Sequence, residues 1–263
     1  MIFCKIPKAG LGNQLFVIAH GLVYSKVNKQ QLIFTNYIQV KIGPYLRGER
    51  TKRKYTRFFK FQTGVFPFLI NQLIFLFQSK SNIISEPELD FYKPGSVVVF
   101  SLIPHYNEYF RRLKPFREEL KKDLLEVISN SNCELIHRLP MIDVAVHVRL
   151  GDFKKLQKGK SFSEVGATRT PIDYFIDSIN EIKFHNPTYK FWVFTDGFEH
   201  EVKEILKLES VELFPSINDL VDLFQMSKSK ILITSAGSTY SYWAGFLGNC
   251  EVIQHPDHTH NLY

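Results

Sequence analysis

Cysteine is scarce. Cys4, Cys133 and Cys250 are the three present, far apart in the chain and without a C-x-x-C pair. So odd and scattered a set argues against a disulfide framework or a thiolate zinc site, and favours a reducing compartment. No uninterrupted apolar stretch reaches the roughly 20 residues that a membrane-spanning helix needs. The opening MIFCKIPKAG reads as a short strand and a glycine turn, too brief for a signal peptide. A cytoplasmic protein is expected, at most peripheral to the inner face of a membrane. Familiar phosphate-binding signatures are missing too: there is no G-x-x-x-x-G-K-[ST] loop and no G-x-G-x-x-G turn. A D-x-D pair is absent, Glu88-Leu-Asp90 being the nearest approach, so no metal is expected. Zinc-finger and RNP-type motifs are absent as well, which leaves a nucleic-acid partner unsupported.

What is present suits a well-packed globular fold. The 263 residues are 44% hydrophobic, with 24 Phe and 12 Tyr, enough for one large domain or two smaller ones. A formal charge of +7 favours an anionic partner. Short β-branched and aromatic runs recur at Ile2–Ile6, Gln31–Phe34, Val97–Phe100, Ile142–Val148, Lys190–Phe194, Ile231–Thr234 and Glu251–Ile253. Helical spacing lies between them, as in Leu15, Ile18, Ala19, Leu22 and Val23, or Phe116, Leu120, Leu124 and Ile128. Further helices are predicted over Ile172–Lys183, Glu199–Leu208, Ile217–Ser227 and Ser238–Leu247. The alternation predicts α/β architecture with mostly parallel sheets. The polar SNSNCE segment suggests a boundary between residues 129 and 140, dividing the chain into domains 1–135 and 136–263.

Ligands of open α/β sheets collect beyond the carboxyl ends of the strands, and four polar stretches lie at such ends. They are Lys8-Ala-Gly-Leu-Gly-Asn-Gln14, His147-Val-Arg-Leu-Gly-Asp-Phe153, Thr195-Asp196-Gly197 and Ser235-Ala-Gly-Ser-Thr-Tyr-Ser-Tyr-Trp243. Each also has an ordinary structural reading as a turn, a helix cap or a buried histidine. Together they suit a diphosphate, with helix N-termini and hydroxyls around its oxygens and the forked donors of Arg149 across them.

In their order, GLGNQLF at 10–16, HVRLGDF at 147–153, FTDG at 194–197 and STYSYWA at 238–244 resemble the bacterial α-1,2-fucosyltransferases of glycosyltransferase family 11. The resemblance covers residue 10 to about 247. It implies a GT-B-like fold of two Rossmann-type halves, the first on the acceptor side and the second binding the donor. It implies inverting, metal-independent transfer of L-fucose from GDP-β-L-fucose to a sugar hydroxyl, of the galactoside α-1,2 type. A role in surface glycan assembly such as lipopolysaccharide synthesis follows from the same resemblance. The partners are then a nucleotide sugar and a glycan acceptor, with no further cofactor. By resemblance Arg149, His147 and Asp152 form the catalytic group, with Arg149 on the β-phosphate. Gly10, Gly12, Asn13, Gln14, Asp196, Ser238, Thr239 and Ser241 belong to donor binding. Asp152 has a second reading, as the group that holds Arg149. The family's two adjacent arginines are here Arg149 and Leu150, and its asparagine before the serine pair is Gly237. A transferase for another nucleotide sugar, or an inactive sugar-nucleotide- or membrane-binding protein, is the alternative.

Two stretches stand outside the motifs. Residues 47–60 carry seven basic residues against one acid, and the apolar run VFPFLINQLIFLF follows at 65–77. They read either as a solvated loop and a core helix, or as an interfacial segment meeting anionic lipid. The tail HPDHTH, with His255, His258 and His260, reads as a loose surface segment.

Overall fold

Ile2–Lys5 (β1) is apolar at three of its four positions and runs through the middle of a sheet. The computed structural model describes residues 1–262 apart from 41, 56, 63, 79–81, 92, 157–161 and 163–167. Two compact units emerge, one of Met1–Val40 with Lys54–Glu134, the other of Lys41–Arg53 with Leu135–Leu262.

In the first unit β1 pairs in parallel with Leu32–Thr35 (β2) on one side. On the other it pairs with Val97–Phe100 (β4), beyond which lies Ile83–Ser85 (β3). Leu11–Val27 (α1) leaves β1 through the glycine turn and packs back on the sheet. A methyl group at Gly21 would overlap the Cys4 sulfur, so helix and strand meet almost at backbone contact. Arg117–Val127 (α4) covers α1 through Leu120 and Leu124. Phe3, Ile33, Val97 and Val99 form the core of the opposite face.

Val65–Leu76 (α3) lies on that face against β2, but it is not a core helix: none of its residues is buried. The polar stretch 130–134, where the domain boundary was expected, is helical. It opens a helix, Asn130–Arg138 (α5), and the division of the two units falls inside it.

In the second unit Ile142–Val148 (β5) is central, buried from Val144 onward. Phe191–Thr195 (β6) and Val211–Leu213 (β7) extend the sheet on one side, Ser229–Ile233 (β8) and Glu251–Ile253 (β9) on the other, all parallel. The chain builds outward from β5 in one direction and then in the other. Such a reversal between β5 and β8 opens a crevice at their carboxyl ends. Ile172–His185 (α6), Asp219–Ser227 (α8) and Thr239–Leu247 (α9) are the main helices, and the 41–53 segment adds a single turn, Gly43–Leu46 (α2). The helix expected over 199–208 is instead a 3-10 turn, Glu199–Glu201, and a single turn, Lys203–Leu206 (α7).

The tail is not loose. Tyr242 donates its hydroxyl to the His258 carbonyl at 3.3 Å, Gln254 and His260 exchange two hydrogen bonds, and Leu262 is buried. Among the described residues no group of His, Cys, Asp or Glu could hold a metal ion. Nor is any helix there long and apolar enough to cross a membrane.

Candidate active site in the second unit

The loop after β5 is held by its neighbours at the strand ends. The Ser235 hydroxyl, just beyond β8, accepts from the Arg149 N–H at 2.8 Å and donates to the His147 carbonyl at 2.7 Å. Asp196, just beyond β6, takes the Leu150 and Gly151 N–H groups on one oxygen at 2.8 and 3.1 Å. Its other oxygen lies 2.5 Å from Arg149 Nη1. A Cβ at Gly151 would strike that same oxygen and approach Arg53 Nη2 at 3.0 Å. Here the glycine of H-x-R-x-G-D is a packing requirement.

Arg149 is thereby oriented at two points, since Nη2 also donates to Asp152 Oδ1 at 2.8 Å. Its guanidinium carbon lies 5.4 Å from the centre of the Phe153 ring, a cation–π contact. A Cβ at Gly237 would only touch that ring, at 4.0 Å, but the residue has φ of +68°. Glycine tolerates that left-handed backbone freely and asparagine does so better than most residues, which accounts for the exchange between them. The Gly237 N–H donates to the Tyr242 hydroxyl at 2.8 Å. Ser238 then caps α9, buried and with extended backbone; Thr239 opens the helix, half-buried; and the buried Ser241 turns its hydroxyl back to the Ser238 carbonyl.

Sequence reading missed the most consequential neighbour. Arg53, from the basic stretch, belongs to this unit and is 9% exposed. Its two terminal nitrogens grip both oxygens of Asp152 at 2.8 and 2.9 Å, and Nη2 meets Glu49 at 2.7 Å. Glu49 is itself buried and also takes Arg47 Nε at 2.6 Å. Arg50 donates to the carbonyls of Thr195 and Gly197 at 3.3 and 3.1 Å. Four of the seven basic residues are thus drawn into this unit, through residues 41–53, and for Arg53, the one of them that is buried, the solvated-loop reading fails. The only signal in sequence was the lone acid Glu49, four residues before Arg53.

Electrostatics follow this arrangement. Burial raises the proton affinity of Asp152, but the Arg53 hydrogen bonds and the charges of Arg149 and Arg53 outweigh it and hold the pKa at about 2. His147 is 3% exposed, and burial, opposed by Asp196 and assisted by Arg149, lowers it to about 3. It is neutral at physiological pH, its ring 5.2 Å from that of Tyr240, and its Nδ1 has no hydrogen-bond partner among the described residues. Asp219, the first residue of α8, is raised to about 6 by burial and by Asp222 and Asp196, against Arg149 and Arg53. Leu150 packs into the core with Val148, Phe175 and Val193 and offers nothing polar.

Gly10, Gly12, Asn13 and Gln14 belong to the first unit. Gly10 caps α1 with nothing within 4 Å of where a Cβ would stand. Gln14 is buried and donates to the Pro7 and Ala9 carbonyls at 3.2 and 3.3 Å. Gln39 donates to Ile6 and Pro7 at 2.9 and 3.2 Å, so neutral amides pin this turn.

The family model described as Glycosyl transferase family 11 matches residues 2–259. The chain belongs to glycosyl transferase family 11. It is therefore a glycosyltransferase, from a family of α-1,2-fucosyltransferases, and the four motifs above lie within the matched span. A search of curated proteins finds no match. Among solved structures, this glycosyltransferase is similar to POFUT1 in complex with GDP-fucose, at 14% identity and a TM-score of 0.57 over 97% of each chain. It is also similar to the fucosyltransferase NodZ from Bradyrhizobium, at 13% identity and a TM-score of 0.56, over 98% of this chain and 96% of that one. NodZ α-1,6-fucosyltransferase co-crystallized with GDP matches at 14% identity and a TM-score of 0.55, over the same shares. The fold class is α/β with two parallel sheets, of the GT-B type.

Proposed function

We propose that this family 11 enzyme moves L-fucose from GDP-β-L-fucose to a sugar hydroxyl with inversion, as a galactoside α-1,2-fucosyltransferase does. The observation that carries the reading is Arg149, pinned between Asp152 and Asp196 where β5 and β8 part, beside the start of α9. Residues 136–263 would then form the donor-binding half and 1–135 the acceptor side, with residues 41–53 lent to the donor half.

In the reaction the bond from the fucose anomeric carbon to the β-phosphate oxygen breaks, and GDP leaves with its electron pair. A guanidinium already oriented toward that oxygen stabilises the growing charge without reorganising. Arg149 takes this part, and its charge does the work for which other transferases use a divalent cation. Asp152, ionised and held by two arginines, is a positioning residue for Arg149 and a poor base. Asp196 is likewise engaged within the chain and shapes the 149–151 turn. Arg53 brings a second guanidinium to the cluster, where Leu150 leaves the neighbouring motif position apolar. Ser238, Thr239 and Ser241 would order the phosphate and nucleotide at the head of α9, and neutral His147 would wall the pocket. Gly10, Gly12, Asn13 and Gln14 would shape the first unit's contribution.

The acceptor hydroxyl attacks the anomeric carbon from the opposite face and must lose its proton. A base works best with a pKa near the working pH. Asp219, at about 6, is the carboxylate so matched. A glycan assembled at the inner membrane face, such as lipopolysaccharide, is the acceptor class we favour.

Incubation with GDP-fucose and a panel of galactosides, read by mass spectrometry, tests the reading. A product heavier by one deoxyhexose, formed equally in chelator and absent with Arg149→Ala, is expected. Transfer only from a UDP-sugar, or a strict need for a metal, would overturn it.

A further inference from the structure

Outside the site described above, the most unusual surface is that of α3. Its inner stripe accounts for its place in the fold. Phe68 meets Tyr37 edge-on at 5.1 Å, Asn71 donates to the Phe34 carbonyl at 3.1 Å, and Phe75 lies 5.2 Å from Phe3. A surface helix held in this way ordinarily shows charged residues on its other side. This one does not. Phe66, Leu69, Ile70, Leu73, Leu76 and Phe77 recur at helical spacing on the outer side, with Phe66, Leu76 and Phe77 exposed by 73%, 72% and 84%. No charged residue occurs between Val65 and Phe77.

Two of the remaining basic residues stand at the head of this helix. Arg57 and Lys60 line a cavity of about 500 Å³ with Ser129, Asn130, Ser131 and Gly64, the last being the residue that caps α3. The cavity is built. Phe59 and Ile128 bridge as an antiparallel pair, Ser129 N–H donates to the Phe58 carbonyl at 2.9 Å, and Lys60 Nζ reaches the Glu126 carbonyl at 2.8 Å. Two cations, two hydroxyls, an amide and the Phe59 ring thus border one hollow, and an apolar stripe about three turns long begins at its rim.

We infer that this face docks on an anionic bilayer, the outer stripe of α3 lying at the boundary between headgroups and acyl chains and a lipid phosphate seated between Arg57 and Lys60. Charge decides the occupant. Bilayers offer apolar chains and phosphates side by side, in the order this surface presents them. A second copy of a +7 chain would instead bring two like-charged rims together. The inference is independent of the donor and of the reaction.

Sedimentation with sucrose-loaded vesicles tests it, using phosphatidylcholine with and without phosphatidylglycerol. The full chain is expected in the pellet with the anionic vesicles, and released as salt is raised. Arg57→Gln with Lys60→Gln should weaken binding at least about tenfold, each basic residue near the surface being worth about fivefold. Leu69→Asp with Leu73→Asp should abolish it at every salt concentration, with the thermal melt unchanged because both side chains face water. Should that pair disturb folding, Phe66→Trp serves in its place. The indole fluorescence of that variant should shift to the blue on anionic vesicles and be quenched by brominated lipid. A wild-type chain left in the supernatant, a charge variant that binds as before, or an unquenched indole in Phe66→Trp would overturn the inference. So would a dimer in sedimentation velocity that dissociates in the Asp variant.

Discussion

Both sheets place their first strand in the middle and send the chain into a tight loop at its carboxyl end, yet they secure that loop by different chemistry. After β1, neutral amides do it, Gln14 and Gln39 donating to the carbonyls of residues 6 to 9. After β5, ions do it: Arg149, Asp152, Asp196 and Arg53. Amides satisfy a turn at any pH and carry no net charge. An ionic cluster holds a turn just as well, but it also offers positive charge to an anion and answers to pH. On the function proposed above, the second loop is the reactive one.

Breaking the ionic loop should have the largest effect. Arg149→Ala is expected to lower kcat about a thousandfold, the upper range for loss of one preorganised donor. Arg149→Lys keeps the charge but not the fork, and should recover only part of the rate. Initial rates from GDP-fucose measure both. Arg53→Met comes next. It leaves Glu49 and Asp152 facing one another, and should cost about 2–3 kcal/mol in urea unfolding, less than a wholly buried pair because Asp152 is partly in water. Gln14→Met is the matching change in the amide loop and should cost only about 1 kcal/mol, independent of pH.

The finest distinction is the pH response. Asp152 has a folded pKa of about 2, below its unfolded value, so its stabilisation is present above about pH 4 and disappears as pH falls through 2. Asp219 has the opposite sign. Its folded value of about 6 lies above the unfolded one, so its favourable contribution holds below about pH 4 and is lost as pH rises through 6. Asp219→Asn should therefore stabilise the fold at about pH 8 while slowing transfer, and leave stability at about pH 4 nearly unchanged. Paired unfolding curves and rates at those pH values check both halves. An unchanged rate would remove Asp219 as the base.

Much of this was legible in sequence because β-branched runs are local signals. β4, β5 and β9 have the bounds that their apolar runs suggest, and β1, β2, β6 and β8 differ by a residue or two. β3 and β7, three residues each, escaped. α5 escaped because its polar opening turns toward water, its buried residues being Asn132 and Ile136. Arg53 escaped for a different reason. It meets Asp152 across 99 positions, and locally only Glu49, four residues before it, sets it apart from Lys52 or Lys54. Composition showed that the stretch was basic; only the location of acids elsewhere in the chain sorted its members into a buried network and an exposed rim.

The return of residues 41–53 to the second unit has a practical consequence for anyone dividing this gene. A fragment started at residue 135 would be translated without the guanidinium that Asp152 grips, and its carboxylates would be left crowded around one arginine. Supplying a short synthetic peptide spanning that arm should rescue such a fragment better than any change of buffer.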